Sequence, residues 1–187
     1  MLLKIAITGN IASGKSQVEK FLAKDFPVYD CDQIAHNILD NLEDFYGYDV
    51  FTNNKIDRKK LGDLVFKNQD LRKKLETVIH PKVKDKILEL FKKHSEDKII
   101  FISVPLLFEA GFEKLFDKIL FIKIDKRIQL ERLMTRNNFS EEEANARINS
   151  QKSQEEKILK ADYIIDNSQS LNYLEKQVTN FINNVTK

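Results

Sequence analysis

Gly9-Asn10-Ile11-Ala12-Ser13-Gly14-Lys15-Ser16 fits the pattern G-x-x-x-x-G-K-[ST], a phosphate-binding loop, and its surroundings fit as well as its letters. Upstream, Leu2 to Thr8 (LLKIAIT) is mostly apolar with β-branched residues, as a short buried strand requires. Downstream, Val18, Phe21 and Leu22 recur at helical spacing, so the glycine-rich turn joins a strand to a helix. The chemistry demands this arrangement. Backbone N–H groups, freed by the permissive dihedrals of glycine, wrap phosphates, and the helix N-terminus adds a favourable dipole. Lys15 is expected to reach the β- and γ-phosphates and the Ser16 hydroxyl to hold Mg²⁺. Gly9, Asn10, Ile11, Ala12, Ser13, Gly14 and Gln17 complete the expected nucleotide-contacting set. A nucleoside triphosphate is the implied ligand, and the rest of the chain must say what is done with it.

At 187 residues the chain suits one compact domain with a small insertion. Hydrophobic residues at 42% and charged ones at 32% exclude wholesale disorder. The formal charge of +2 argues for neither nucleic acid nor an anionic membrane surface as a partner. Cys31 is the only cysteine, so no internal disulfide forms and a reducing cytoplasm is the expected setting. A cleaved signal peptide would take part of the phosphate loop with it, and nothing approaches the roughly 18 apolar residues of a membrane span. A cytoplasmic monomer acting on a small molecule is expected.

The remaining pattern reads as an α/β protein. Pro27 to Asp30 is a short second strand, entered through a proline that sits only at a strand start or edge. Ile34, Ala35, Ile38 and Leu39 follow at helical spacing, with Asp32 placed to cap that helix. Asn41 to Lys55 has no clean period. Asp57 caps a helix carrying Leu61, Leu64 and Val65; a second runs from about Asn68 to His80, where Pro81 interrupts it, and Val83, Ile87, Leu90 and Phe91 resume the period. This block reads as a wholly helical insertion. Ile99 to Val104 and Ile119 to Ile124 are continuous apolar strands, the mark of a parallel sheet buried on both faces. A helix from Lys126 to about Asn137 and another from Ser140, with an S-x-x-E capping box, to about Leu159 form a charged hairpin. Tyr163 to Asp166 is the fifth strand, and Leu171 to Val185 the closing helix. The sum is a five-stranded parallel doubly wound sheet whose ligand sits at the strand C-termini.

Asp30 and Asp32 fall at the end of the second strand, where a phosphotransferase needs one carboxylate for the acceptor's hydroxyl proton and one near the metal. Strand three ends in Ser103, and Asp125 after strand four reads as a helix cap. Gln129, Arg132 and Arg136 share one helical face, from which arginines would neutralise phosphoryl-transfer charge; Arg127 reads as a solvated charge. Asn54-Lys55-Ile56-Asp57 spells the guanine-reading N-K-x-D but sits in the insertion, so it reads as a loop with a cap. His80 lacks partners at metal-ligand spacing and reads as a packed or substrate-facing residue. Cys31, flanked by carboxylates that oppose thiolate formation, reads as structural.

With these residues in view the chain resembles the dephospho-CoA kinase family, P-loop kinases that phosphorylate the ribose 3′-hydroxyl of dephospho-CoA with ATP. The resemblance runs from end to end: Asp30-x-Asp32, Leu75-Glu76 with His80-Pro81, Val104-Pro105-Leu106-Leu107-Phe108-Glu109, Gln129-x-x-Arg132-x-x-x-Arg136 with Arg147-x-x-x-Gln151, and Ala161-Asp162 through Asp166-Asn167. It implies a nucleoside-monophosphate-kinase-like core of about 1–31, 96–125 and 160–187, a helical acceptor-binding insertion of about 32–95, and a lid of about 126–159. It implies ATP as donor with Mg²⁺, and dephospho-CoA as acceptor. Asp32 becomes the base, Lys15 and Arg136 the charge-holding groups, Arg132 and Asn167 nucleotide neighbours. Asp30, His80, Leu106 and Glu109 go to the acceptor. The family usually has glycine where this chain has Asn10 and Ala12, and often aspartate where it has Ser103. A kinase for another small acceptor, such as a nucleoside monophosphate, is the competing enzyme reading. A nucleotide-dependent switch without transfer is the non-enzyme one.

Overall fold

The computed structural model describes residues 1–39, 50–52 and 55–187. The chain divides into two compact units, Met1–Asp30 with His94–Lys187, and Cys31–Lys93. The first is built on a five-stranded, wholly parallel sheet of β1 (Leu3–Thr8), β2 (Val28–Asp30), β5 (Ile99–Ser103), β6 (Lys118–Lys123) and β7 (Tyr163–Asp166), in the order β2-β5-β1-β6-β7. Strand β1 lies in the middle, so the loop leaving its C-terminal end emerges at the centre of the sheet's C-terminal edge. Strand β2 lies at an edge, which is where Pro27 is tolerated: its carbonyl accepts from the Phe101 amide at 3.0 Å while it has no amide to offer.

Alternation along the strands assigns the two faces. Ile5, Ile7, Ile99, Phe101, Leu120, Ile122 and Ile165 pack with Val18 and Leu22 of α1 (Lys15–Leu22) and Leu174, Val178 and Phe181 of α8 (Leu171–Val185). The opposite-face residues Ala6, Ile100, Ile102 and Phe121 are fully buried too. This two-sided burial is why the strands read as continuous apolar runs rather than alternating ones.

Helices α5 (Lys126–Asn137), α6 (Glu141–Asn149) and α7 (Gln154–Ile158) lie between β6 and β7. Asp125 caps α5 by accepting from the amides of Arg127 and Ile128, and Asn138 ends it in the left-handed region at φ 53°. The single helix expected from Ser140 to Leu159 is instead two. Ser153 starts α7 with its own capping box, in which Ser153 Oγ accepts from the Glu156 amide and Glu156 Oε2 from the Ser153 amide. Satisfying those end groups locally makes the break at residues 150–153 inexpensive.

The second unit holds α2 (Cys31–Leu39), a two-stranded antiparallel pairing of β3 (Phe51–Thr52) with β4 (Lys55–Ile56), α3 (Arg58–Lys67) and α4 (Gln69–Lys93). The expectation of a wholly helical insertion fails at that pairing; of the aperiodic 41–55 stretch, residues 41–49 and 53–54 lie outside the described residues. Helix α4 also runs unbroken through Pro81. An interior proline costs about 3 kcal/mol. Ile79, Val83, Ile87, Leu90 and Phe91 form a continuous buried stripe across it, each worth about 1.5–3 kcal/mol, and the stripe prevails. Helices α2 and α3 both pack on α4.

Candidate active site

The loop between β1 and α1 takes its shape from two glycines that no other residue could replace without movement. A Cβ on Gly9 would stand 2.6 Å from the Ile122 carbonyl oxygen and 2.7 Å from Ser13 Oγ. Gly14 is the α1 N-cap at φ +83°, and a Cβ there would meet Asn167 Nδ2 at 2.1 Å. Ala12 also has a positive φ, 60°, in a side-chain-bearing residue. Its methyl, with Ile11, packs on a cluster of Leu133 from α5 and Ala144 and Ile148 from α6. That contact offsets the backbone cost and accounts for alanine here.

A ring of side chains holds the loop from outside. The Ile11 amide donates to Gln151 Oε1 at 2.8 Å, and the Ile11 carbonyl accepts from Gln129 Nε2 at 2.8 Å. Asn10 Nδ2 donates to the Lys152 carbonyl at 3.0 Å. Asn167 Nδ2 donates to the Ser13 carbonyl at 2.8 Å, and the Asn167 carbonyl in turn accepts from Arg132 at 3.2 Å. Gln129 and Asn167 are buried. The Asn10 side chain, expected among the nucleotide-contacting groups, is therefore a tether, and Asn167 grips the loop itself. Within the loop, Lys15 Nζ donates to the Gly9 carbonyl at 3.1 Å, and Ser13 Oγ is buried without a partner among the described residues. The first-turn amides of α1 face the loop mouth, as helix N-termini do.

Above the loop lies a cleft of about 500 Å³, lined by Ala12, Gly14, Ser16, Glu131, Arg132, Thr135 and Arg136. The structure thus brings Arg132 and Arg136 together with the loop on the exposed face of α5. Arg136 is exposed, its Nε donating to Asn137 Oδ1 at 2.9 Å. Glu131 and Thr135 line the same cleft and had no motif to mark them. Arg127 pairs with Glu131 at 3.1 Å near the surface, as its solvated reading requires, and Arg147 stacks over Phe139 at 5.4 Å.

Asp30 ends β2 in register with the buried Ser103 of β5. Asp32 is exposed, in the first turn of α2; the helix begins at Cys31 without an intervening loop, so Asp32 is not its cap as expected. Gln17 follows the loop on α1, half-buried. After β5, Leu107 and Phe108 are buried while Leu106 is 38% exposed. Glu109 turns to Lys157, Oε1 to Nζ 2.7 Å. His80 is half-buried on α4, and Cys31 is buried. A second cleft, about 350 Å³ between α2 and α4, is lined by Ile34, Asn37, Ile38, Lys82 and Lys86. Among the described residues no three of His, Cys, Asp and Glu converge to hold a metal ion.

The acids near the last strand are structural. Asp162 accepts from the Ile119 amide at 2.8 Å and from Lys118 Nζ at 2.8 Å, which raises the lysine's pKa. Asp166 stays ionised below the usual carboxylate range: burial opposes this most strongly, but the hydroxyl and amide of Ser168 and the ammonium of Lys123 outweigh it. Of N-K-x-D, Asn54 lies outside the described residues, Lys55 and Ile56 form β4, and Asp57 caps α3 through the amides of Lys59 and Lys60.

The dephospho-CoA kinase family profile matches residues 3–172. The chain is 44% identical to the dephospho-CoA kinase of Fusobacterium nucleatum subsp. nucleatum, covering 96% of this chain and 97% of that one. It is 40% identical to that of Oceanobacillus iheyensis, with 97% of both covered. Among solved structures, the dephospho-CoA kinase from Campylobacter jejuni superposes with a TM-score of 0.76 at 37% identity, over 99% of this chain and 98% of that one. Shikimate kinase from Aquifex aeolicus, at 18% identity, 98% coverage of both chains and a TM-score of 0.54, shares the fold alone. The loop, the sheet beneath it and the arginine helix above it are those of a P-loop kinase, and the chain belongs to the dephospho-CoA kinase family.

Proposed function

We propose that this chain transfers the γ-phosphoryl group of ATP to the ribose 3′-hydroxyl of dephospho-CoA, giving coenzyme A and ADP. Family membership over nearly the whole chain is the observation that carries this reading. The triphosphate lies on Gly9–Ser16, where the α1 amides, Lys15 and the Ser13 hydroxyl offer donors, with Gln17 and Asn167 nearby. Arg132 and Arg136 face the γ-phosphate across the cleft. Asp32 takes the 3′-hydroxyl proton as the oxygen attacks phosphorus and the bond to the β-phosphate oxygen breaks, leaving ADP. The residues suit Mg²⁺, a hard cation that binds oxygen and keeps waters. Ser16 would hold it, aided by Asp30 through water, and it would supply charge neutralisation on the phosphates.

The second unit is the proposed acceptor-binding part. Its α2/α4 cleft pairs two isoleucines with two lysines, a surface suited to a chain part alkyl and part phosphate. Leu106, exposed after β5, and His80 complete the proposed acceptor set. A cytoplasmic monomer is the proposed working form. The switch reading has no support from N-K-x-D, whose described residues stand in the second unit and not at a strand end of the parallel sheet.

The test is an acceptor panel: purified protein, ATP and Mg²⁺ with dephospho-CoA, adenosine or AMP, ADP release and product mass being followed. Dephospho-CoA should be converted to coenzyme A with a kcat/KM far above the others. Preference for adenosine or AMP would overturn the assignment, and ATP binding without transfer to any of them would favour the switch.

A further inference from the structure

We propose that the ion pair between half-buried Glu109 and buried Lys157 is a positioning device that sets the donor loop, so that Glu109 acts on ATP binding rather than on the acceptor. Lys157 is 1% exposed, and its Nζ lies 2.7 Å from Glu109 Oε1. A lysine so deeply buried is a poor way to gain stability, because desolvating the two charges offsets their attraction and an apolar pair would serve as well. Its neighbours supply another reason for it. The same Glu109 oxygen accepts from the Lys152 amide at 3.3 Å, so one carboxylate holds both ends of the 152–157 segment.

That segment is what holds the loop. The Lys152 carbonyl accepts from Asn10 Nδ2, and the preceding Gln151 accepts from the Ile11 amide. Gln154 fastens the segment to the end of β6, its Oε1 accepting from the Ile124 amide at 3.0 Å and its Nε2 donating to the Ile124 carbonyl at 2.8 Å. Glu109 therefore reaches the Asn10–Ile11 peptide through a single intervening stretch of chain, fixed at β6 on one side and at Glu109 on the other. Removing the Glu109 charge leaves the buried Lys157 ammonium without a counter-ion and weakens the acceptor that Lys152 shares with it. The loop then loses the outer support of Asn10 and Ile11 while keeping Asn167 and Gln129. The sequence pattern placed Glu109 against the acceptor; the geometry points to the donor side.

The experiment compares Glu109→Gln, Lys157→Met and the double variant Glu109→Met with Lys157→Met, in the full-length chain. It measures thermal midpoints, direct ATP affinity by titration calorimetry, and the separate KM values for ATP and dephospho-CoA. Both single variants should weaken ATP binding and raise its KM by tenfold or more, with the KM for dephospho-CoA within about twofold of the parent. The double variant, with no charge left unpaired, should regain the parent's thermal midpoint yet keep the weakened ATP affinity. If Lys157→Met fails to fold, the other two carry the comparison. A raised KM for dephospho-CoA with unchanged ATP affinity in Glu109→Gln overturns the proposal, and so does full recovery of ATP affinity in the double variant. The expectation for KM rests on the transfer reaction proposed above. ATP affinity does not, so a protein inactive on dephospho-CoA would defeat that reading and leave this one to the titration.

Discussion

Adding one methyl group at Gly14 tests whether the loop is shaped by its own backbone or by Asn167 pressed against it. Alanine at φ +83° carries the left-handed cost of about 1–2 kcal/mol. Its Cβ would also stand 2.1 Å from Asn167 Nδ2, so the amide must leave. Its 2.8 Å bond to the Ser13 carbonyl is then lost, and a buried unsatisfied group costs about 1–3 kcal/mol. Gly14→Ala should thus destabilise by roughly 2–5 kcal/mol. In an Asn167→Ala background the bond is already gone and the clash with it. Only the dihedral part should remain, about 1–2 kcal/mol. Urea unfolding of the four proteins, read at constant m, measures the difference as a coupling energy. Equal costs in the two backgrounds would refute Asn167 as the wedge. Ala12→Gly is the control. It relieves a positive φ but gives up methyl packing and adds unfolded-state freedom, so stability should move by less than about 1 kcal/mol.

Asp32→Asn should retain ATP binding while transfer falls by at least about 10²-fold, the range for a lost general base; near-normal turnover in single-turnover assays would remove Asp32 from the chemistry. Arg136→Ala should lower kcat much more than it weakens dephospho-CoA binding, and the reverse pattern would move Arg136 to the acceptor side. Because the Asp166 carboxyl is held below its ordinary value in the fold, its contribution to stability is present above about pH 4 and is lost as pH falls through the lowered value. The stability gap between parent and Asp166→Asn, from denaturant titrations at pH 6, 4 and 3, should therefore narrow towards the acid end. A gap that widened below pH 4 would contradict the sign of that shift.

The fold was legible where a single pattern governed each element. Continuous apolar strands told of two covered faces, and the glycine loop between β1 and α1 located the sheet's working edge. Where two signals competed, the structure decided. Pro81 spelled a break, but the stripe from Ile79 to Phe91 spans it, and a local rule about one residue could not weigh five buried neighbours. The division between α6 and α7 was available in the letters, since Ser153-Gln154-Glu155-Glu156 repeats the S-x-x-E pattern recognised at Ser140. Asp32 has the residue type of a cap, but β2 runs directly into α2, which puts Asp32 inside the first turn. In the site, the phosphate loop and the α5 arginines were visible because their chemistry fixes residue type and spacing. The outer ring was not. Nothing in a sequence distinguishes a buried Lys157 from a solvated one on a charged helix, or marks Glu131 and Thr135 as lining a cleft, since those depend on which distant segment returns to meet them.

The way the chain leaves and re-enters its first unit has a practical consequence. Tyr29, near the end of β2, hydrogen-bonds through its hydroxyl to His94 Nε2 at 2.6 Å, and His94 Nδ1 meets Asp97 Oδ2 at 2.6 Å. The exit and return points of residues 31–93 are thus pinned side by side within the first unit. Such an arrangement invites excision. Joining residue 30 to residue 94 through a short glycine-serine bridge of about six residues would spare the fold about 2 kcal/mol of loop-closure entropy relative to the full detour. The product would be a minimal nucleotide-binding scaffold, with β2 still at the sheet edge and the phosphate loop intact. A recognition module of choice could then be spliced into the same gap.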